Sequence, residues 1–328
     1  MKLRKVLTFI ILLGLLSRTA PQVLNGRQSR DDSFKYLALL QVLHEDGGSG
    51  VGSGVILTEK WILTAAHNFD PHINDDDIDN PYHGVYGVTT VVIKVGTKDM
   101  NDVNAQTRVF DDIEDVDDDP RFCIHPNYVI DEDDLVDDSI DSMFDQKYDI
   151  ALIYLHDRPL QLRQRVVLAV IPNVEPQLQY GTECSITGWG YTQLGQRFSD
   201  LRYAYEGNVK VLRPEVCENS FDDDILFGRN NNLCFGCEQG DDPCMCLGRG
   251  DSGGPVVCRV NNVETVVAIQ THGQDAGTPC GPDAPNAGVK INRGINEWIN
   301  GEKLKKSQQE CRPYYLMLVV GVLAVYCL

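Results

Sequence analysis

The chain has 328 residues, 48 Asp and Glu against 29 Lys and Arg, and a formal net charge of −19. That charge excludes a nucleic-acid-binding role, since nucleic-acid phosphates would be repelled, and the length suits a single all-β domain. Eleven cysteines behind an apolar leader point to an oxidising compartment, where disulfides persist.

Residues 1–20 read as a secretory signal. Lys2, Arg4 and Lys5 precede an apolar run at 6–16 that is too short to span a bilayer. We therefore assign 1–22 to a signal peptide and any short propeptide, and Val23-Leu24-Asn25-Gly26 follows at once. Residues 36–43 form a buried-strand run, and 44–54 a Gly-rich hairpin. Val55-Ile56-Leu57 and Trp61-Ile62-Leu63-Thr64 bracket a turn and lead into Ala65-Ala66-His67. Acidic stretches at 75–79, 111–119 and 131–145 interrupt the first half, with a predicted strand at 91–95 between the first two. Solvated surface loops are the plain expectation for them. Clustered carboxylates also suit calcium, but none of the stretches has EF-hand spacing; steering of basic partners is a third reading.

Ile124-His125-Pro126-Asn127-Tyr128 precedes the last acidic stretch, with His125 in a structural role. Tyr148-Asp149 then opens a second buried run at 150–155. In the second half, Cys184-Ser185-Ile186-Thr187-Gly188-Trp189-Gly190, Gly250-Asp251-Ser252-Gly253-Gly254-Pro255 and Thr271-His272-Gly273 stand out. Ile291, Ile295, Trp298 and Ile299 recur at helical spacing. Residues 303–313 read as a polar linker and 314–328 as an uncharged apolar tail. No Asn-x-Ser/Thr sequon occurs.

A serine hydroxyl is a poor nucleophile until a base takes its proton, and the base needs a group to orient it. Singly, His67 could be a core histidine and Asp149 a turn residue. Together with the Ser252 hexapeptide, in the order His, Asp, Ser, they resemble the chymotrypsin-fold, trypsin-like serine peptidases from about Val23 to Asn300. The resemblance implies two packed six-stranded antiparallel β-barrels with a C-terminal helix, forming a peptidase domain over 23–302. It makes Ser252 the nucleophile, His67 the general base and then acid, and Asp149 the buried carboxylate that fixes the His67 tautomer. The backbone N–H groups of Gly250 and Ser252 would form the oxyanion hole. No cofactor is expected; the partner is a protein or peptide substrate, and the enzyme is a monomer. An esterase elbow of the Gly-x-Ser-x-Gly type would need Ser before Asp before His, so the order excludes it. The rival from another class is a weak or inactive homologue that regulates a protein partner. Loss of a triad residue would favour it, and none is lost.

In this family a freed N-terminal amino group pairs with the Asp before the nucleophile, here Val23 with Asp251. Residue 22 is Gln, not the usual Arg or Lys, so signal peptidase or trimming of Pro21-Gln22 is expected to expose Val23. The resemblance pairs Cys184 with Cys258 and Cys217 with Cys234, and has Cys280 close the specificity pocket. Its partner is Cys246 or Cys244. Cys246 leaves the uncharged Cys244 at the pocket floor. Cys244 puts Asp242 there, where it would pair with a substrate Arg or Lys, and the expected preference for Arg or Lys rests on that arrangement. A zinc site built from Cys237, Cys244 and Cys246 is the metal alternative; no metal is expected. Thr271, Gly273 and Gly288 match the pocket wall, and His272 replaces an aromatic residue. The family bridge beside the histidine would fall at Gly52 and Asn68, which lack both cysteines. Cys123 and Cys311 are left to pair by elimination. The tail resembles a GPI signal with Ser307 as one attachment residue, so membrane attachment and plain secretion both remain open.

Overall fold

Among the described residues, the longest apolar runs fold as strands that are walled in on both faces. The computed structural model describes residues 26–29, 35–70, 72–73, 85–128, 148–191, 201–221, 227–241, 243–273 and 280–310. The N-terminal segment through Asn25, the acidic stretches at 75–79 and 131–145, Asp242 and the tail from Cys311 lie outside them.

The first half carries β1 (Arg27–Gln28), β2 (Leu37–His44), β3 (Ser49–Thr58), β4 (Trp61–Thr64), β5 (His72–Ile73), β6 (Val85–Tyr86), β7 (Val88–Val95), β8 (Gln106–Phe110), β9 (Phe122–Ile124) and β10 (Ala151–Tyr154). The second carries β11 (Glu183–Gly188), β12 (Tyr205–Val211), α1 (Pro214–Glu218), β13 (Asn232–Gly236), β14 (Pro255–Val260), β15 (Val263–His272), β16 (Asn286–Lys290) and α2 (Arg293–Glu310). Among the described residues these form two seven-stranded antiparallel sheets and a separate two-stranded β5–β6 pair. Of the two larger sheets, one runs β8-β7-β2-β3-β4-β10-β9; the other runs β1-β12-β11-β14-β15-β16-β13. A further β12–β13 pairing closes the second sheet into a six-stranded barrel, with the two-residue β1 added at its edge.

Side chains alternate across a strand, and here both faces find apolar partners. Ile62, Ala151 and Ile153 point into the core of the first sheet. Their neighbours Trp61, Leu63, Ile150 and Leu152 join Val257, Ile269 and Val289 of the second barrel and Ile295 and Ile299 of α2 in one interface cluster. β2 is shared in the same way: Ala38, Leu40 and Val42 face the first core, while Leu37 and Leu39 face Trp189. Fully burying one such Leu or Ile contributes about 1.5–3 kcal/mol, so these runs fasten the two barrels together. No polar alternation survives because neither face meets water.

α2 starts where Asn292 Oδ1 accepts the Ile295 N–H at 3.0 Å, an N-cap bond that satisfies one of the free amides of the first turn. The Asn296 amide donates to the Pro172 carbonyl at 2.7 Å and ties the helix to the inter-barrel connection. The helix continues to Glu310, so residues 303–310 are its last turns rather than linker. Its apolar positions stop at Ile299 because the remainder has no core to face. Among the described residues, no helix is long and apolar enough to cross a membrane.

Among the described residues four disulfides form: Cys184–Cys258, Cys217–Cys234, Cys237–Cys244 and Cys246–Cys280. All lie in the second half. The Cys244–Cys280 pairing that set Asp242 at the pocket floor is therefore not the one made, and Asp242 itself lies outside the described residues. The three cysteines of the zinc alternative are all spent in bridges. Cys123 is a free thiol whose pKa burial pushes up to about 11; Cys311 is outside the described residues. His125 stacks on Tyr148 at 4.7 Å and packs against Trp298 at 4.9 Å.

Candidate active site

β4 ends at Thr64, and a single 3₁₀ turn at Ala66–Phe69 carries His67. β10 pairs with β4 so that Ala151 lies opposite Thr64. Asp149 therefore sits two residues before that pair and His67 three after it, at the same end of the ladder. Asp149 is 0% exposed, and both its carboxylate oxygens are used by His67. Oδ2 lies 2.6 Å from His67 Nδ1, and Oδ1 accepts the His67 backbone N–H at 3.0 Å. A carboxylate accepts only, so Nδ1 carries the hydrogen and Nε2 is left as the basic nitrogen. Burial pulls the His67 pKa down, but the Asp149 charge and hydrogen bond outweigh it, and the net shift is upward from 6.5.

A second carboxyl stands nearby. Tyr128 donates its hydroxyl to Asp70 Oδ2 at 2.6 Å. Burial raises the Asp70 pKa to about 7, against the lowering effects of the Tyr128 bond and of His67. Nothing in the local sequence around Asp70 or Tyr128 announces this pair.

Ser252 lies in a loop folded by two tight turns, Asp251 N–H to Gly248 O at 3.0 Å and Gly254 N–H to Asp251 O at 2.9 Å. Gly250 and Gly253 adopt φ of +97° and +85°, the left-handed region that side-chain-bearing residues avoid. A peptide unit is planar, with its C=O and N–H opposed. Tyr191 N–H holds the Arg249 carbonyl at 2.7 Å, and Gly254 N–H holds that of Asp251. The N–H groups of Gly250 and Ser252 are thereby turned the other way, and among the described residues neither meets an acceptor. Two preorganised donors of this kind suit a developing oxyanion.

The loop is pinned to both halves of the molecule. Gly253 N–H donates to Gln270 O of β15 at 2.7 Å, and the Ser252 carbonyl accepts from Ser53 N–H of β3 at 2.8 Å and from the Asn68 amide at 3.1 Å. Asn68 is the residue after His67, so the Ser252 backbone is clipped directly to the histidine turn. Asp251 is 1% exposed, and its carboxylate accepts from Gly190 and Gly248 N–H, both at 2.8 Å. Burial raises its pKa to about 7 against those two bonds. Among the described residues no cation reaches it; Val23 lies outside them.

The expected pocket residues cluster on β15 and β16. Gly288 pairs with Gln270, and Thr271 Oγ donates to Ala287 O at 3.4 Å. Gly273 has no open space beside it: a Cβ there would come within 3.3 Å of Asn286 Oδ1 and of Leu247. Leu247 N–H donates to that same Asn286 Oδ1 at 2.9 Å. Nearby, Cys244 is bonded to Cys237 and Cys246 to Cys280.

A family model described as Trypsin matches residues 23–299. Atrial natriuretic peptide-converting enzyme from Homo sapiens is 30% identical over 246 residues, covering 74% of this chain but only 19% of that protein. The chain thus spans about a fifth of that relative's length. Cathepsin G from Mus musculus is 26% identical and covers 94% of this chain and 93% of its own length. Two solved structures share the fold: GrC at a TM-score of 0.59 and 21% identity, and neuropsin, a serine protease expressed in the limbic system of mouse brain, at 0.57 and 23%. Both are covered over 98% of their length, against 85% of this chain. With the family model spanning most of the chain, this protein belongs to the trypsin family of serine proteases.

Proposed function

We propose that the chain is an extracellular serine endopeptidase acting through a Ser252 acyl-enzyme. The observation that carries this is the His67–Asp149 pair, bonded at 2.6 and 3.0 Å beside a serine loop clipped to the same histidine turn. His67 Nε2 takes the Ser252 proton as the hydroxyl attacks the scissile carbonyl. The Gly250 and Ser252 N–H groups receive the oxyanion. His67 then gives its proton to the leaving amine, and water hydrolyses the ester by the same route. Val23, once freed, supplies the ammonium that Asp251 lacks among the described residues, and the pairing orders the oxyanion loop.

The substrate pocket is proposed to be uncharged at its base. The Cys237–Cys244 bridge occupies the floor position, and Leu247 with Asn286 narrows the wall at Gly273. Small or apolar residues before the cut are therefore preferred over Arg or Lys. Four disulfides fit secretion into an oxidising compartment. A monomeric state completes the proposal, with the tail read either as a membrane attachment signal or as an extension of a secreted enzyme.

The test is a cleavage profile on a mixed peptide library, with Ser252→Ala alongside. Cleavage after small or apolar residues, reduced in kcat by about 10⁶ in the mutant, is the expected result. Cleavage after Arg or Lys would keep the enzyme and restore Asp242 to the pocket floor. The narrowed wall also favours a second reading, a homologue that binds a protein without cutting it. No cleavage by either form, with Val23 shown to be the N-terminus, would select it.

A further inference from the structure

We propose that Asn68 is a positioning residue for the nucleophile, clamping the Ser252 carbonyl to the turn that carries His67. The proposal rests on the reading of Ser252 as nucleophile. Asn68 Nδ2 has two hydrogens, and each has an acceptor: Ser252 O at 3.1 Å and Thr64 Oγ at 2.9 Å. Thr64 Oγ passes its own hydrogen to Ser53 O at 2.7 Å. Ser53 N–H meets the same Ser252 carbonyl at 2.8 Å, so both lone pairs of that oxygen are filled. Ser53 Oγ then donates to Gly250 O at 3.1 Å and accepts Trp189 N–H at 3.2 Å.

Two polar side chains, Asn68 and Ser53, thus hold the carbonyls of Ser252 and Gly250, on either side of Asp251, and Thr64 braces both of them. The three come from β3, from β4 and from the histidine turn. Because the peptide units are planar, fixing the Ser252 oxygen fixes one of the two backbone planes that meet at Ser252 Cα, and fixing the Gly250 oxygen fixes the Gly250–Asp251 plane of the same loop. The glycine opposite completes the device. A Cβ at Gly52 would lie 2.7 Å from both terminal atoms of the Asn68 amide, so only glycine leaves the carboxamide its place. Gly52 and Asn68 stand where the resemblance expects a disulfide. The chain holds the same two segments together with an amide clamp that also grips the nucleophile's own carbonyl, which no disulfide there would do.

A positioning role predicts a loss in turnover rather than in binding, since small misplacements of a nucleophile are expensive in rate. The variants are Asn68→Leu, which keeps the volume and removes both bonds, and Asn68→Asp, which keeps the shape and removes the donor. Active sites are counted by covalent uptake of a fluorophosphonate, and kcat is expressed per titrated site on the plateau of the pH profile. The expected result is a fall in kcat of about tenfold in both variants, with KM within twofold and melting temperature within a few degrees of the parent. If Asn68→Leu does not fold, Asn68→Asp alone decides. Turnover per titrated site within twofold of the parent would overturn the proposal, as would a loss explained wholly by fewer titratable sites; either makes Asn68 a packing residue. A wild-type chain that takes up no reagent is a separate result. It refutes Ser252 as nucleophile and removes this proposal with it.

Discussion

At the scale of single residues, the site depends on how Asp149 and Asp70 set the charge of His67. Asp149→Asn leaves the shape but offers Nδ1 a donor group, so the ring takes the wrong tautomer and kcat should fall by about 10⁴. In the proposed reaction only a neutral His67 can take the serine proton. Its pKa is raised from 6.5: burial is the largest single effect and lowers it, but the Asp149 charge, the Asp149 hydrogen bond and the Asp70 charge together outweigh burial. Activity should therefore rise with pH through a midpoint above 6.5, and a midpoint below it in the kcat/KM profile would count against this picture. Asp70 adds a smaller upward push, so Asp70→Asn should move that midpoint to lower pH; an unmoved midpoint would remove Asp70 from the site. The His67–Asp149 pair and the Ser252 loop are legible in the sequence because each sits in a short motif. Asn68 is legible only as a missing cysteine. Its bond to a carbonyl 184 residues away leaves no local pattern.

At the scale of elements, the strand runs could be read directly and the cysteine-rich loop could not. The runs at 36–43 and 150–155 announce strands buried on both faces, and β2 and β10 are such strands. The family resemblance left Cys246 and Cys244 as alternative partners for Cys280. Only the folded backbone, with Cα atoms 5.6 Å apart for Cys237–Cys244 and 5.5 Å for Cys246–Cys280, chooses between them. The end of α2 was obscured for another reason: its last turns are solvated, so the apolar period that marks a helix stops before the helix does. Two predictions belong here. Gly253→Ala forces a side chain onto φ +85° and against Ser53 O and Thr64 Oγ; it should abolish turnover and lower the melting temperature. Leu63→Ala opens a cavity in the cluster joining the barrels to α2 and should destabilise the protein by about 2–5 kcal/mol in a denaturant titration.

At the scale of the whole molecule, the two halves are fastened by different means. Every disulfide among the described residues lies between Cys184 and Cys280, so a reductant should loosen the second barrel and spare the first. Hydrogen exchange in the presence of a reductant checks this; equal loss of protection in both would contradict it. Asp251 adds a pH term. Its folded pKa of about 7 lies above the ordinary 3.8 because burial disfavours the charge. Stability from this group is therefore full below pH 4 and lost as pH rises through 7, and an ammonium at Val23 should reverse the loss by pairing with it. Melting curves of chains beginning at Val23 and at an earlier residue, compared at pH 4 and pH 8, test that difference. The central claim is that Ser252, with His67 as its base, is a working nucleophile. The most direct test is to incubate the chain beginning at Val23 with a fluorophosphonate and locate the adduct by peptide mass spectrometry. A single adduct on Ser252, formed far more slowly in His67→Ala, is the result predicted. No adduct, or one on another residue, would contradict the account.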